Sequence, residues 1–179
     1  MCIRDRTEDV QLRLDRMKRV LHHDPSTGRV RVQAGISLRE LNPQLQRLGL
    51  ALPNLGDVDP QSLAGAISTG THGTGGRLQG IAAAVVAMQL VIADGSIVEV
   101  DEAHPWFGAA RVGLGAIGIV TEVTLQCVPA FLLHAREEPM PLPDVLANLD
   151  DLVNANDHFE FYWFPHTTKA LTKRNNRIG

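Results

Sequence analysis

Cysteine is nearly missing from this chain. Cys2 and Cys127 are too few and too far apart for a disulfide framework or a zinc site. Cys127 falls in an alternating pattern and reads as a small core residue. A surplus of basic charge is missing as well. Seventeen Lys and Arg stand against 20 Asp and Glu, for a net charge of −3 and a pI near 6.1. That argues against a nucleic-acid binder, which would present a basic face. No long hydrophobic run occurs. The longest, Ile81 to Met88, is far short of the ~20 apolar residues that span a bilayer. No charged segment followed by an apolar one opens the sequence, so no secretory signal is visible. Internal repeats and low-complexity tracts are also lacking.

What is present suffices for a packed core. Hydrophobic residues make up 44% of the 179 and charged residues 21%, which argues against wholesale disorder. The length allows one domain, or one domain and part of another.

One stretch organises the rest, Ser62-Leu-Ala-Gly-Ala-Ile-Ser-Thr-Gly-Thr-His-Gly-Thr-Gly-Gly76, with five glycines. Its first half, Ser62 to Ser68, predicts a short helix with Leu63 and Ile67 on one face. Its second half, Thr69 to Gly76, cannot hold a helix, because each Gly costs about 1 kcal/mol there. Successive exposed N–H groups beside Ser and Thr hydroxyls form a concave anion site, for which phosphate is the usual occupant. The bland reading is a flexible surface loop.

Along the chain, Val10, Leu12 and Leu14 alternate with polar residues and predict a strand. Val20–His23 and Arg29–Gln33 predict a hairpin turned by Pro25-Ser-Thr-Gly28. His22 and His23 then point to opposite faces, which disfavours chelation of one metal by both. Ser37-Leu-Arg-Glu40 is a capping box. A helix follows with Leu38, Leu41, Leu45 and Leu48 on one stripe, kinked or shortened by Pro43 and stopped by Gly49. Asp94-Gly95 between Val85–Ile92 and Ile97–Val100 signals a second hairpin. Pro105–Val112 predicts a short helix, with His104 before it a solvent or capping residue.

Gly113-Leu-Gly-Ala-Ile-Gly118 matches the dinucleotide fingerprint G-x-G-x-x-G. That fingerprint needs a strand before it and a helix after it. Here a helix pattern precedes and a strand pattern, Ile119 to Cys127, follows. The glycines therefore read as a tight helix-to-strand turn. Phe131–Arg136 predicts another strand, and Pro139–Pro143 a break taken as a domain boundary. Val145, Leu149, Leu152 and Val153 recur at helical spacing. Five of the eight aromatics fall in Phe159–Phe164, with Phe159, Phe161 and Trp163 on one strand face. Ala170–Arg177 predicts the returning strand.

Three of these segments resemble one family. Asn54 to Gly73, Gly113 to Thr124 and His158 to His166 are similar to the FAD-linked sugar-1,4-lactone oxidases, the arabinonolactone and gulonolactone oxidases, with an FAD-binding domain of the vanillyl-alcohol-oxidase (PCMH) type. The resemblance covers nearly all of the chain after about Thr7. It implies an α+β fold, with residues 7–138 as the FAD-binding domain, incomplete at its start, and 139–179 as the opening of a substrate domain. It implies FAD as cofactor and a sugar lactone as substrate, with oxygen or another electron acceptor. It places Ser62, Gly65 and Ala66 by the flavin, Thr69, Gly70, Thr71, His72 and Gly73 along the isoalloxazine and pyrophosphate, and Gly118 with Ile119 at the adenosine. His72 is read as fixing the loop rather than as a base. No catalytic residue and no metal ligand is expected within the chain. The family's histidine-bearing phosphate loop and its lactone-binding residues are expected outside it, so no turnover is expected from this chain alone. Related alternatives are an alditol oxidase and a non-catalytic FAD-binding module. A cytoplasmic location is expected, and the resemblance allows peripheral membrane association of the full-length protein.

Overall fold

The structure, a computed structural model, describes residues 10–178. The start at Met1–Arg6, read above as ragged or artificial, lies outside them. A five-stranded antiparallel sheet carries the first part of the chain, in the order β1-β2-β6-β4-β5. Its strands are β1 (Val20–Asp24), β2 (Arg29–Gln33), β4 (Val85–Val91), β5 (Ile97–Asp101) and β6 (Ile119–Gln126). A short pair, β3 (Leu50–Ala51) and β7 (Val128–Pro129), adjoins it.

Local chemistry accounts for both expected hairpins. Between β1 and β2 the Asp24 carboxylate accepts from Ser26 N–H at 2.9 Å, Ser26 Oγ at 2.6 Å and Thr27 Oγ1 at 2.8 Å. These donors hold its pKa down at about 2. Gly95 takes φ +84° between β4 and β5, where Asp94 accepts from Ser96 N–H at 2.9 Å.

Helix α1 (Leu38–Arg47) opens on the expected capping box: Ser37 Oγ accepts from Glu40 N–H, and Glu40 returns to Ser37 N–H at 3.1 Å. It buries Leu38, Leu41 and Leu45 completely against the sheet. The helix runs on through Pro43. Pro43 lies on the exposed side, and the three buried leucines hold the turn around it. Helices α2 (Leu63–Ser68) and α3 (Phe107–Arg111) complete this layer. Leu63, Ile67, Met88, Leu90, Val123 and Leu125 share one core with the leucines of α1.

Two local expectations fail. No strand forms over Val10–Leu14, and Val10 is 94% exposed. The segment Pro139–Pro143 is no irregular break. β8 (Leu132–Pro141) runs through most of it, paired with β10 (Lys169–Ile178) from Ile178↔Leu132 to Lys169↔Pro141. β8 is an edge strand, where proline's missing N–H is tolerated.

β8, β10 and β9 (His158–Trp163) form a three-stranded sheet. Helices α4 (Leu142–Ala147) and α5 (Leu149–Asn154) precede β9 in the chain. A small second core joins Val145, Phe159 and Ala170, with Met140, Leu142, Leu152 and Phe161 packed around it. Alternation puts Glu160, Tyr162, Leu171, Lys173 and Asn175 on the opposite face. The architecture is α+β, as the sequence implies.

Candidate cofactor-binding site

Helix α2 is set by the β2–α1 corner beside it. Leu63 N–H donates to Ile36 O at 2.7 Å and Ala64 N–H to Ala34 O at 2.9 Å, so the two helix starts lie side by side across a Ser37–Ser62 bridge. Ser62 Oγ caps α2 by accepting from Gly65 N–H at 3.2 Å. Helical periodicity then sorts the side chains. Leu63, Ala66 and Ile67 are fully buried, while Gly65 and Thr69 are exposed and Ser62 partly so. The outward face of α2 is thus a strip without bulky side chains, suited to a flat ring. Ala66 is the exception among the expected contacts. Its methyl belongs to the core and its carbonyl accepts from Thr71 N–H at 2.9 Å.

The glycine loop divides at His72. Thr69, Gly70 and Thr71 spend their N–H groups on the carbonyls of Gly65, Ile67 and Ala66, closing the end of α2. Gly70 makes this turn at φ +66°. Thr69 Oγ1 donates to Gly65 O at 2.9 Å and Thr71 Oγ1 to Gln61 Oε1 at 3.3 Å. From His72 to Arg77, no backbone N–H reaches an acceptor among the described residues. The free donors that an anion needs therefore begin at His72. The exposed His72 ring donates from Nδ1 to Gly73 O at 2.9 Å.

The resemblance places Gly73 beside the cofactor, and the packing gives this glycine a role within the protein as well. A Cβ on Gly73 would stand 2.1 Å from Leu55 O and 2.6 Å from Asn54 Oδ1, so the protein's own backbone requires glycine there. Asn54 is the residue that sequence reasoning missed. It is buried, donates from Nδ2 to Thr74 O and Gln79 O at 3.2 Å each, and accepts from Leu55 N–H at 2.9 Å. His158 was also missed. It is buried, and its Nδ1 donates to Thr74 O at 3.0 Å, tying β9 to the glycine loop. Neither residue has a local sequence signal, because both act on segments distant in the chain.

The 113–118 turn abuts the far end of α2: Leu114 N–H donates to Ser68 O at 3.2 Å, and Val112 lies 3.6 Å from where a Gly70 Cβ would be. Strand β6 follows the turn, so the Rossmann reading stays excluded. A Cβ on Gly118 would meet Val91 O at 2.7 Å, and Ile119 beside it is 36% exposed. Ser62, Gly65, Thr69, Gly118 and Ile119 thus follow α2 from its cap to the turn beyond its end. His72 and Gly73 line a separate cavity of about 600 Å³ between the loop and β9–β10.

Solved structures share this architecture. A variant of cholesterol oxidase from Brevibacterium sterolicum superposes with a TM-score of 0.80 over 90% of this chain and 34% of that one, at 21% identity. The two chains therefore share a fold. A family model described as "FAD binding domain" matches residues 2–101, and one described as "D-arabinono-1,4-lactone oxidase" matches residues 123–179. The chain belongs to the FAD-binding-domain family. It is 46% identical over 171 residues to L-gulono-1,4-lactone dehydrogenase of Mycobacterium tuberculosis, covering 96% of this chain and 40% of that protein. It is 44% identical to L-gulonolactone oxidase of Mus musculus, covering 90% and 37%. The chain thus spans about 40% of the length of these relatives.

The residues present fit FAD. The strip of Ser62, Gly65 and Thr69 leaves room for a planar ring, and the unspent N–H groups from His72 onward suit a pyrophosphate.

Proposed function

We propose that this chain supplies the FAD-holding part of an oxidoreductase acting on a sugar-1,4-lactone of the L-gulono or D-arabinono type, with oxygen or another acceptor taking the electrons. The observation that carries the reading is the small-residue face of α2 continuing into the free N–H groups of His72–Arg77. FAD supplies the redox chemistry, accepting two electrons from the carbinol carbon. The chain's own residues hold and orient. Ser62, Gly65 and Thr69 seat the ring, the backbone from His72 grips the pyrophosphate, and Gly118 with Ile119 bound the adenosine. Ala66 acts from behind, as packing. His72 fixes its loop through Gly73 O. The FAD-binding unit runs from about residue 7 to the start of the second sheet, and β8 opens the substrate unit. On this reading the boundary expected at 139 lies instead at the Ala130–Leu132 link, where the first sheet's chain passes to the second.

Among the described residues no helix is long and apolar enough to cross a membrane. The reading carries a cytoplasmic location and allows peripheral membrane association of the full-length protein. The test is a flavin titration of this chain, followed by anaerobic addition of L-gulono-1,4-lactone or D-arabinono-1,4-lactone to the full-length protein. Saturable FAD binding supports the holding role, and bleaching of the bound flavin by lactone supports the substrate class. A folded protein that leaves FAD fluorescence unchanged would refute the proposal.

A further inference from the structure

The loop His72–Arg77 offers N–H donors but does not hold its own shape. None of its backbone N–H groups reaches an acceptor among the described residues. Gly73, Gly75 and Gly76 also leave its backbone with much freedom to lose when a ligand is bound. Such donors bind well only if something else fixes them beforehand. Two buried side chains do so at a single atom. Thr74 O accepts from Asn54 Nδ2 at 3.2 Å and from His158 Nδ1 at 3.0 Å. A carbonyl oxygen can only accept, so the proton lies on Nδ1 of His158.

Asn54 belongs to the FAD-binding unit, whereas His158 opens β9 of the second sheet. Sheet pairing fixes His158. It is 8% exposed, it is the register partner of Asn175 in β10, and the residue before it is tied to β10 as well. Asp157 N–H donates to Asn176 Oδ1 at 2.8 Å, and Asp157 Oδ2 accepts from Arg177 N–H at 2.7 Å. Asp157 also lies against the loop, since a Cβ on Gly75 would stand 2.6 Å from Asp157 O. A second arm comes from β10 itself. Arg177 Nη2 donates to Pro53 O at 2.7 Å, at the residue before Asn54. The second sheet thus grips both ends of the Asn54–Thr74 link.

We infer that His158, with Arg177, positions the cofactor loop from the second sheet, so that FAD affinity and the docking of that sheet are coupled. His158 acts through Thr74 O and is a positioning residue. The coupling is reciprocal: whatever the docked sheet adds to FAD affinity, bound FAD adds to the docking. The inference rests on the proposed function for the identity of the cofactor, and on the hydrogen bonds alone for the tie.

The test compares His158→Leu with His158→Asn, in flavin titrations of this chain and in hydrogen exchange with and without FAD. The two replacements have nearly the same shape, and only asparagine keeps a donor near the place of Nδ1. His158→Leu is expected to weaken FAD binding about fivefold, the size of one lost hydrogen bond, and His158→Asn to restore it to within about twofold of wild type. In wild type and His158→Asn, FAD is expected to slow exchange of the β9 and β10 amides. In His158→Leu that slowing is expected to vanish, an effect that a merely structural histidine would not show. Should His158→Leu fail to fold, Arg177→Met, a change at an exposed residue, removes the donor to Pro53 O and decides in its place, with an expected loss of about threefold in FAD affinity. Unchanged FAD affinity in a folded His158→Leu, or in Arg177→Met where that variant decides, overturns the inference and leaves the flavin reading standing. Equal weakening by leucine and asparagine overturns it too. A folded wild-type chain that binds no FAD overturns the flavin reading, and the inference with it.

Discussion

Two glycines, eight residues apart in the same stretch, are expected to respond to alanine in opposite ways. At Gly73 the new methyl would lie 2.1 Å from Leu55 O and 2.6 Å from Asn54 Oδ1, both far inside contact distance. The loop must move away from Asn54, which stretches or breaks its bonds to Thr74 O, Gln79 O and Leu55 N–H. At about 1 kcal/mol for each bond, the loss is about 3 kcal/mol before any strain is counted. At Gly65 the methyl would meet only Ser62 Oγ, at 3.1 Å. Alanine is worth about 1 kcal/mol over glycine inside a helix, and crowding of the Ser62 cap opposes it. Stability should therefore change by less than about 1 kcal/mol. The same methyl stands on the outward face of α2, where the ring is proposed to lie, so FAD affinity should fall about tenfold or more. Urea denaturation gives the stability of each variant, and quenching of FAD fluorescence gives the affinity. A Gly73→Ala midpoint equal to wild type would refute the packing argument. A Gly65→Ala protein that binds FAD as tightly as wild type would show that α2 does not face the cofactor.

Three further outcomes follow from single sites. Glu40 is held at a pKa of about 2, below its ordinary 4.5, chiefly by the Ser37 hydroxyl and then by Ser37 N–H and Lys18. A depressed carboxylate stabilises above its unfolded pKa and loses that contribution as pH falls through the folded value. The α1 cap should therefore weaken between about pH 4.5 and 2, and Glu40→Gln should flatten that part of a stability-against-pH curve. Asn54→Ala should destabilise by about 3 kcal/mol, because it leaves Thr74 O and Gln79 O without their donor; denaturation reads this directly. Cys127 is 5% exposed and burial pushes its thiol up to about 11, so it should resist thiol reagents at neutral pH until the protein is unfolded in denaturant.

What the sequence reveals is mostly local chemistry. The Ser37–Glu40 capping box and the Asp94-Gly95 turn each act within a few residues, and both form as read. The spacing of Leu63 and Ile67 likewise shows which face of α2 turns inward, though not that Ala66 goes with them. The context rule that rejects a Rossmann unit at Gly113–Gly118 needs only the elements on either side. The misreadings are tertiary. Alternation over Val10–Leu14 looks like a strand, but no strand forms there. Prolines at 139 and 141 look like breakers, yet an edge strand accommodates them. The need for glycine at position 73 comes from Leu55, and the roles of Asn54 and His158 come from Thr74 and Gln79. No window on the chain contains both partners in the His158 contact.

The central claim is that the outward face of α2 and the loop after it hold FAD. Backbone hydrogen exchange with and without FAD tests it most directly, because the N–H groups of His72–Arg77 have no acceptor among the described residues. They should exchange fast without FAD and slow on its addition, together with Ser62–Thr69 and Ile119. The β1–β2 hairpin should be unaffected. Saturable FAD binding that leaves His72–Arg77 exchanging at its ligand-free rate would contradict the account.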